Sequence, residues 1–163
     1  EQLSVPRDLV LQEVEKRLER VRALQRELEQ QRLRVVRERL LKSTDEAQEV
    51  AGTRVLARRV EGLGPQEMRE LADALRGRLN SGVVVLGRAE GGKASLLVAV
   101  TEDLKKRVAA GDLVRSLGKI IGGGGGGRPD MAEAGGKNPE RLDEALQQAA
   151  KEVARRMEAA SSN

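Results

Sequence analysis

The sequence predicts an α+β chain in which a long N-terminal helical arm is followed by a small mixed sheet covered by helices. Three observations carry that reading. From Asp8 to about Lys42 there is no glycine or proline, so nothing interrupts one long helix. After Ser43, short runs rich in β-branched residues alternate with segments whose apolar residues recur every three or four positions, the pattern of strands and amphipathic helices in one domain. The chain has no Phe, Tyr or Trp, so Leu, Val, Ile, Ala and Met must fill the core.

The arm is mostly Leu, Glu, Arg, Gln and Val, all compatible with a helix that would extend roughly 50 Å. Leu11, Val14, Leu18, Val21, Leu28 and Val35 recur at three, four or seven residues, with Gln25 and Arg32 interrupting the same seam. This partial coiled-coil stripe is the candidate association surface. Its partner is either an upstream helix or the same helix of a second copy in a homodimer; the plainer alternative is an exposed linker helix. The arm is expected to span 1–48 and a globular domain 49–163.

In the globular part, Thr53 to Val60 reads as a strand. Gly64 and Pro65 open a helix with Met68, Leu71, Ala72, Leu75 and Leu79 on one face, stopped by Asn80, Ser81 and Gly82. Val83 to Arg88 and Ala94 to Val100 flank Glu90, Gly91, Gly92 and Lys93, which predicts an antiparallel hairpin. Thr101 is expected to cap a short helix through Arg107. Asp112 would then cap a second helix that turns Leu113, Val114, Leu117, Ile120 and Ile121 inward. Six glycines, Gly122 to Gly127, end that helix. Met131 to Ala134 reads as a small edge strand, and Asn138 with Pro139 starts a last helix burying Leu142, Leu146, Ala149, Val153 and Met157.

Composition excludes several chemistries. Without Cys there are no disulfides or thiolate nucleophiles, and without His the commonest general base and metal ligand is gone. No segment is apolar enough to span a bilayer, so no membrane contact and a cytoplasmic location are expected; no cofactor is expected either. The formal net charge is +4 and the pI near 9.8, which permits a polyanion partner. Through Lys42 there are eleven basic against eight acidic residues, and beyond it nineteen against eighteen. A basic surface on the globular part must therefore be a local patch.

A six-glycine run satisfies any glycine pattern, so its match to GxGxxG carries little. It also follows a helix rather than a strand, and Arg128 and Pro129 stand where a P-loop needs Lys and Ser or Thr. A flexible linker is the bland reading, yet elements of the domain hold the run at both ends. The favoured reading is a backbone nest over Gly122, Gly123, Gly124, Gly125, Gly126 and Gly127 that binds phosphate. Arg128 would bind the phosphate bidentately. Arg115 and Lys119 share a helix face that ends at the run, and Lys137 follows it. Lys105, Lys106 and Arg107 extend the patch, which Asp112 and Asp130 dilute.

The stretch GGGGGGRPDMAEAGG at 122–136 closely resembles the signature of the DHHA1-type domain that ends alanyl-tRNA synthetases. Supporting similarity lies in GPQEM at 64–68, LNSGVVVLG at 79–87, LLVAVTEDL at 96–104 and AGDLVRSLGKIIGG at 110–123. Related DHH-type phosphodiesterases instead carry histidine in a GGGH motif. Gly124 departs from the pattern, since many relatives have lysine there. The resemblance implies a domain that grips the outer corner of tRNA, tRNA-Ala above all, and helps the aminoacylation and editing domains of one synthetase share it. It implies no catalysis by this chain itself. Two other classes stay open: a pure dimerisation module, and a subdomain that binds nucleotide phosphates.

Overall fold

The computed structural model describes residues 6–162. The chain parts into two compact units, Glu1–Glu38 and Arg39–Asn163. Most of the first is helix α1 (Arg7–Lys42), none of whose residues is buried. Asp8 in its first turn and Arg39 and Lys42 in its last complement the helix dipole. Residues of its last turn belong to the second unit, where Arg78 donates to the Leu41 carbonyl at 3.0 Å.

The second unit is built on a six-stranded mixed sheet. Its strands are β1 (Gln48–Val50), β2 (Thr53–Arg59), β3 (Gly82–Glu90), β4 (Lys93–Val100), β5 (Gly123–Gly127) and β6 (Met131–Gly136), in spatial order β1-β2-β3-β4-β6-β5. Only β2 and β3 run parallel. Helix α2 (Pro65–Leu79) makes the crossover between them, as a parallel pair requires. The β3–β4 hairpin turns on Gly91 and Gly92, with φ of +58° and +75°, the two positive values that a two-residue turn matching strand twist demands.

Helices α3 (Ala110–Ile120) and α4 (Leu142–Ser161) cover the other face. Alternation along the strands separates the two layers. Val83, Val85, Leu96, Val98 and Val100 join Leu113, Leu117, Leu142 and Val153 in one core. Leu56, Val84, Leu86, Leu97 and Ala99, equally buried, point to the α2 side with Met68, Leu71 and Leu75. Burial on both faces explains the unbroken apolar runs of β3 and β4.

The α+β class, the long helix and the helix-covered sheet are as the sequence predicts, but several elements differ. The sheet has six strands rather than four, because β1 and β5 carry no strand pattern in their sequence. Residues 101–107 form successive turns instead of a helix. The Thr101 hydroxyl, expected to cap that helix, accepts the Gly82 N–H at 3.0 Å and ties the end of β4 to the start of β3. Ala109, not Asp112, stands before α3, and its carbonyl accepts the Leu113 N–H. Strand β6 is not an edge: it lies between β4 and β5. Ile120 and Leu146 are only half-buried, and Ala145 takes the buried place on α4.

Candidate nucleic-acid interface

The glycine run is an edge strand. Gly122, with φ +73°, ends α3 in the left-handed conformation usual after a helix. Gly123 to Gly127 then pair antiparallel with β6, from Gly123 opposite Gly136 to Gly127 opposite Ala132. A nest needs successive residues of opposite helical hand around one concavity. Extended backbone sends alternate N–H groups to opposite sides, so the run is a bare strand rather than a nest.

The glycines have separable reasons. A Cβ at Gly123 would overlap the Gly135 carbonyl oxygen, and one at Gly125 the Glu133 carbonyl oxygen. At Gly127 it would lie 2.7 Å from the Ala132 Cα. At Gly124 it would meet nothing within 4 Å, and at Gly126 only Arg115 Nη2, at 4.0 Å. Packing therefore demands glycine at every second position and leaves 124 and 126 bare by composition alone. Underneath, α3 approaches closely through its own glycines. A Cβ on Gly111 would lie 3.0 Å from the Gly127 oxygen, and one on Gly118 would lie 3.1 Å from the Ala134 Cβ and 3.5 Å from the Gly124 Cα.

Around this strand the backbone distributes the four cations singled out in the sequence. Lys119 lies at the end of α3 that leads into β5, where its carbonyl accepts the Gly122 N–H. Lys137 follows β6 at the same end, since Gly136 pairs with Gly123. Arg115 stands beside Gly126, and Arg128 leaves the far end. Arg128 is 76% exposed, with Nε 3.3 Å from Asp130. Arg115 is 60% exposed and bound to Asp112 at 2.8 Å. Exposed pairs of this kind cost little to exchange for another anion.

Two features have no signal in the sequence. Arg76 donates to the Val100 and Asp130 carbonyls at 3.4 and 3.2 Å and lies 3.6 Å from the Asp130 carboxylate. It thereby pins the segment between Arg128 and β6. Arg69 of α2 holds Glu133 of β6 in a fork, at 2.5 and 2.9 Å. The Arg69 hydrogen bonds hold the Glu133 carboxyl below the usual carboxylate range against its partial burial. Both partners are remote in sequence, and exposed Arg and Glu carry no periodic signal.

A group whose pKa is depressed on folding adds stability above its unfolded value and loses it as pH falls through the folded one. Arg69→Ala should therefore destabilise the domain at neutral pH, and the difference from the parent should shrink once Glu133 is protonated in acid. Thermal unfolding of both proteins from neutral pH down into the strongly acid range checks this; a pH-independent gap would mean that Arg69 acts through packing alone.

The stripe residues of α1 are all open to solvent. Leu11, Val14, Leu18, Val21, Leu28 and Val35 are between 48% and 64% exposed, and Leu9, Val10 and Leu24 are similarly open.

Comparisons with known proteins bear on this geometry. The family model described as the DHHA1 domain matches residues 52–155. The chain is 49% identical over 146 residues, 90% of its length, to the alanine–tRNA ligase of Anaeromyxobacter dehalogenans, and covers 16% of that protein. It is 44% identical over 146 residues to the ligase of Chromohalobacter salexigens, again over 90% of its length and 17% of the relative's. Thus it spans about a sixth of the curated relatives it matches. The crystal structure of the C-Ala domain from Aquifex aeolicus alanyl-tRNA synthetase is similar at a TM-score of 0.63 and 32% identity, over 66% of this chain and 97% of that one.

Proposed function

Since the chain belongs to the DHHA1 family, as the C-Ala domain of an alanyl-tRNA synthetase, we propose that it binds tRNA with the β5 edge and its flanking cations. The matched part is a non-catalytic, C-terminal domain of the ligase. The observation that carries the reading is the alternation along β5. Gly124 and Gly126 are bare where packing would admit side chains, so a polynucleotide backbone can come against the strand itself. Lys119 and Lys137 flank one end of that strand, and Arg115 and Arg128 the other. With no aromatic residue in the chain, recognition rests on phosphates, 2′-hydroxyls and shape. On this reading the domain grips the outer corner of a tRNA, tRNA-Ala first, and helps the aminoacylation and editing domains share it in the cytoplasm. No helix among the described residues is long and apolar enough to cross a membrane.

Affinity for tRNA should fall steeply with salt. Arg128→Ala, and separately the double change Arg115→Ala with Lys119→Ala, should weaken binding and flatten the log–log salt slope by about one unit for each phosphate left without its cation. Filter binding or anisotropy between roughly 50 and 300 mM salt reads both quantities. An unchanged slope in both variants would move the site off β5.

The exposed seam of α1 supports a second role, association through a helical partner, here a second copy. Leu18→Glu or Val21→Glu should shift sedimentation of the chain from a concentration-dependent dimer to a monomer, because a charge in the seam loses its burial and has no counter-ion. A parent chain that sediments as a monomer at every concentration would remove this role and leave RNA binding standing.

A further inference from the structure

On the face of the sheet that carries α2, one residue from each of four strands falls in a single cross-strand row. Gly124 of β5 is opposite Gly135 of β6, Gly135 opposite Ser95 of β4, and Ser95 opposite Arg88 of β3. Directly paired residues project to the same face. From the free edge inward, the row therefore has two steps without a side chain, then a hydroxyl, then a guanidinium. A Cβ at Gly124 would meet nothing within 4 Å, and one at Gly135 only the Ala94 carbonyl oxygen at 4.0 Å. Packing does not force this bareness.

The row leads into a cavity of about 260 Å³, walled by Pro65 and Met68 of α2 and by Glu133, with Leu97 at its base. Arg88 is fixed through Nη1, which donates to the Leu63 carbonyl at 2.8 Å and to Glu90 at 3.1 Å. Its Nε and Nη2, and the Ser95 hydroxyl, have no hydrogen-bond partner among the described residues. Across the cavity, the Arg69 fork keeps Glu133 in its acceptor form and occupies one lone pair on each oxygen, leaving the others available.

The cavity thus offers donors at one end, an ionised acceptor at the other and apolar walls between them. It is smaller than the roughly 300 Å³ at which drug-sized pockets begin, so it suits one heterocycle rather than a whole nucleotide. Guanine fits this polarity, with N1–H and N2–H₂ donors on one edge and O6 and N7 acceptors on another. We propose that the cavity takes a single unpaired guanine of the bound RNA. Its Watson–Crick edge would donate to Glu133, and its O6/N7 edge would accept from Arg88 and Ser95, with the strand bearing it crossing Gly124 and Gly135. The source of the base rests on the tRNA reading; the cavity's chemistry does not.

The test is a titration of the ¹⁵N-labelled full chain with free guanosine and with inosine, which lacks the 2-amino group. Neither carries a phosphate, so the basic edge cannot bind them. Saturable amide shifts are expected at Ser95, Leu97, Glu133 and Gly135, with guanosine about tenfold tighter than inosine, the scale of one good bidentate base contact. Glu133→Gln should erase that preference in a chain that still gives a folded spectrum. Gly135→Val, whose Cβ would meet nothing closer than 4.0 Å, should abolish both shifts in a chain that likewise gives a folded spectrum. Absence of saturable shifts, or equal affinity for the two nucleosides in the parent, overturns the site. With the site overturned, tRNA binding with an Arg128-dependent salt slope would still uphold the RNA reading; conversely, guanosine-selective shifts in a chain that binds no tRNA would keep the site and remove that reading.

Discussion

Gly125→Ala is expected to lower the melting temperature by on the order of 10 °C, while Gly124→Ala, one residue earlier, should leave it within about 2 °C of the parent. At 125 the new methyl would occupy the space of the Glu133 carbonyl oxygen and crowd the Cα and Cβ of Ala134. Those atoms belong to a paired strand, so no rotamer change makes room. Either β5 shifts off β6 or β6 shifts off β4, at the upper end of the about 1–3 kcal/mol typical of overpacking. At 124 the methyl points into open space, and Ala has less unfolded-state entropy to lose than Gly. The pair of variants separates steric need from bareness, which no count of glycines can do. Two equal losses would mean that β5 does not hold this register. The same argument extends to Gly124→Lys, whose Cβ also meets nothing within 4 Å and which should melt close to the parent.

Sequence reading succeeds here wherever a residue's type follows from its layer. Pro65 to Leu79 has a single apolar face because α2 touches the sheet on one side only. Val83 to Leu86 is continuously apolar because β3 is covered on both. The turn Glu90–Lys93 is legible because Gly91 and Gly92 must adopt positive φ. Strand β5 fails on the same logic. Its residues have no side chains with which to show a period of two, and its alternation exists only as the room or lack of room above each Cα. That quantity depends on β6 and α3, and no local pattern records it. Strand β1 is three residues of mixed polarity, two of them exposed, below what alternation can signal. The cations at the edge could be named one by one, since Arg128 and Lys119 adjoin the run in sequence. The cavity could not, because Arg88, Ser95 and Gly135 meet only through pairing register.

Leu117→Ala should be the most damaging single truncation near the interface. Leu117 is fully buried on α3, in the core that also holds Ala132, Ala134, Leu142, Ala149 and Val153. With no ring anywhere in the chain, that core is made mostly of branched and alanine side chains, with Met157 among them, anchored on sheet and helix backbone. Branched side chains held on sheet and helix backbone relax only in part into such a void, so the cost falls near about 3–5 kcal/mol. Against a total stability of about 5–15 kcal/mol this is a large fraction. The loss should also be uneven. Five consecutive glycines contribute no side-chain packing of their own, so β5 is held by its ladder to β6 and by the close seat of α3 at Gly111 and Gly118. Loosening α3 should raise amide exchange at residues 123–127 before it does so in β3 or β4. Affinity for tRNA should fall under conditions where the chain is still folded. Hydrogen exchange on the variant, beside denaturant unfolding for the total cost, reads both parts. Uniform loss of protection across the sheet would show that the glycine edge draws its stability from β6 alone.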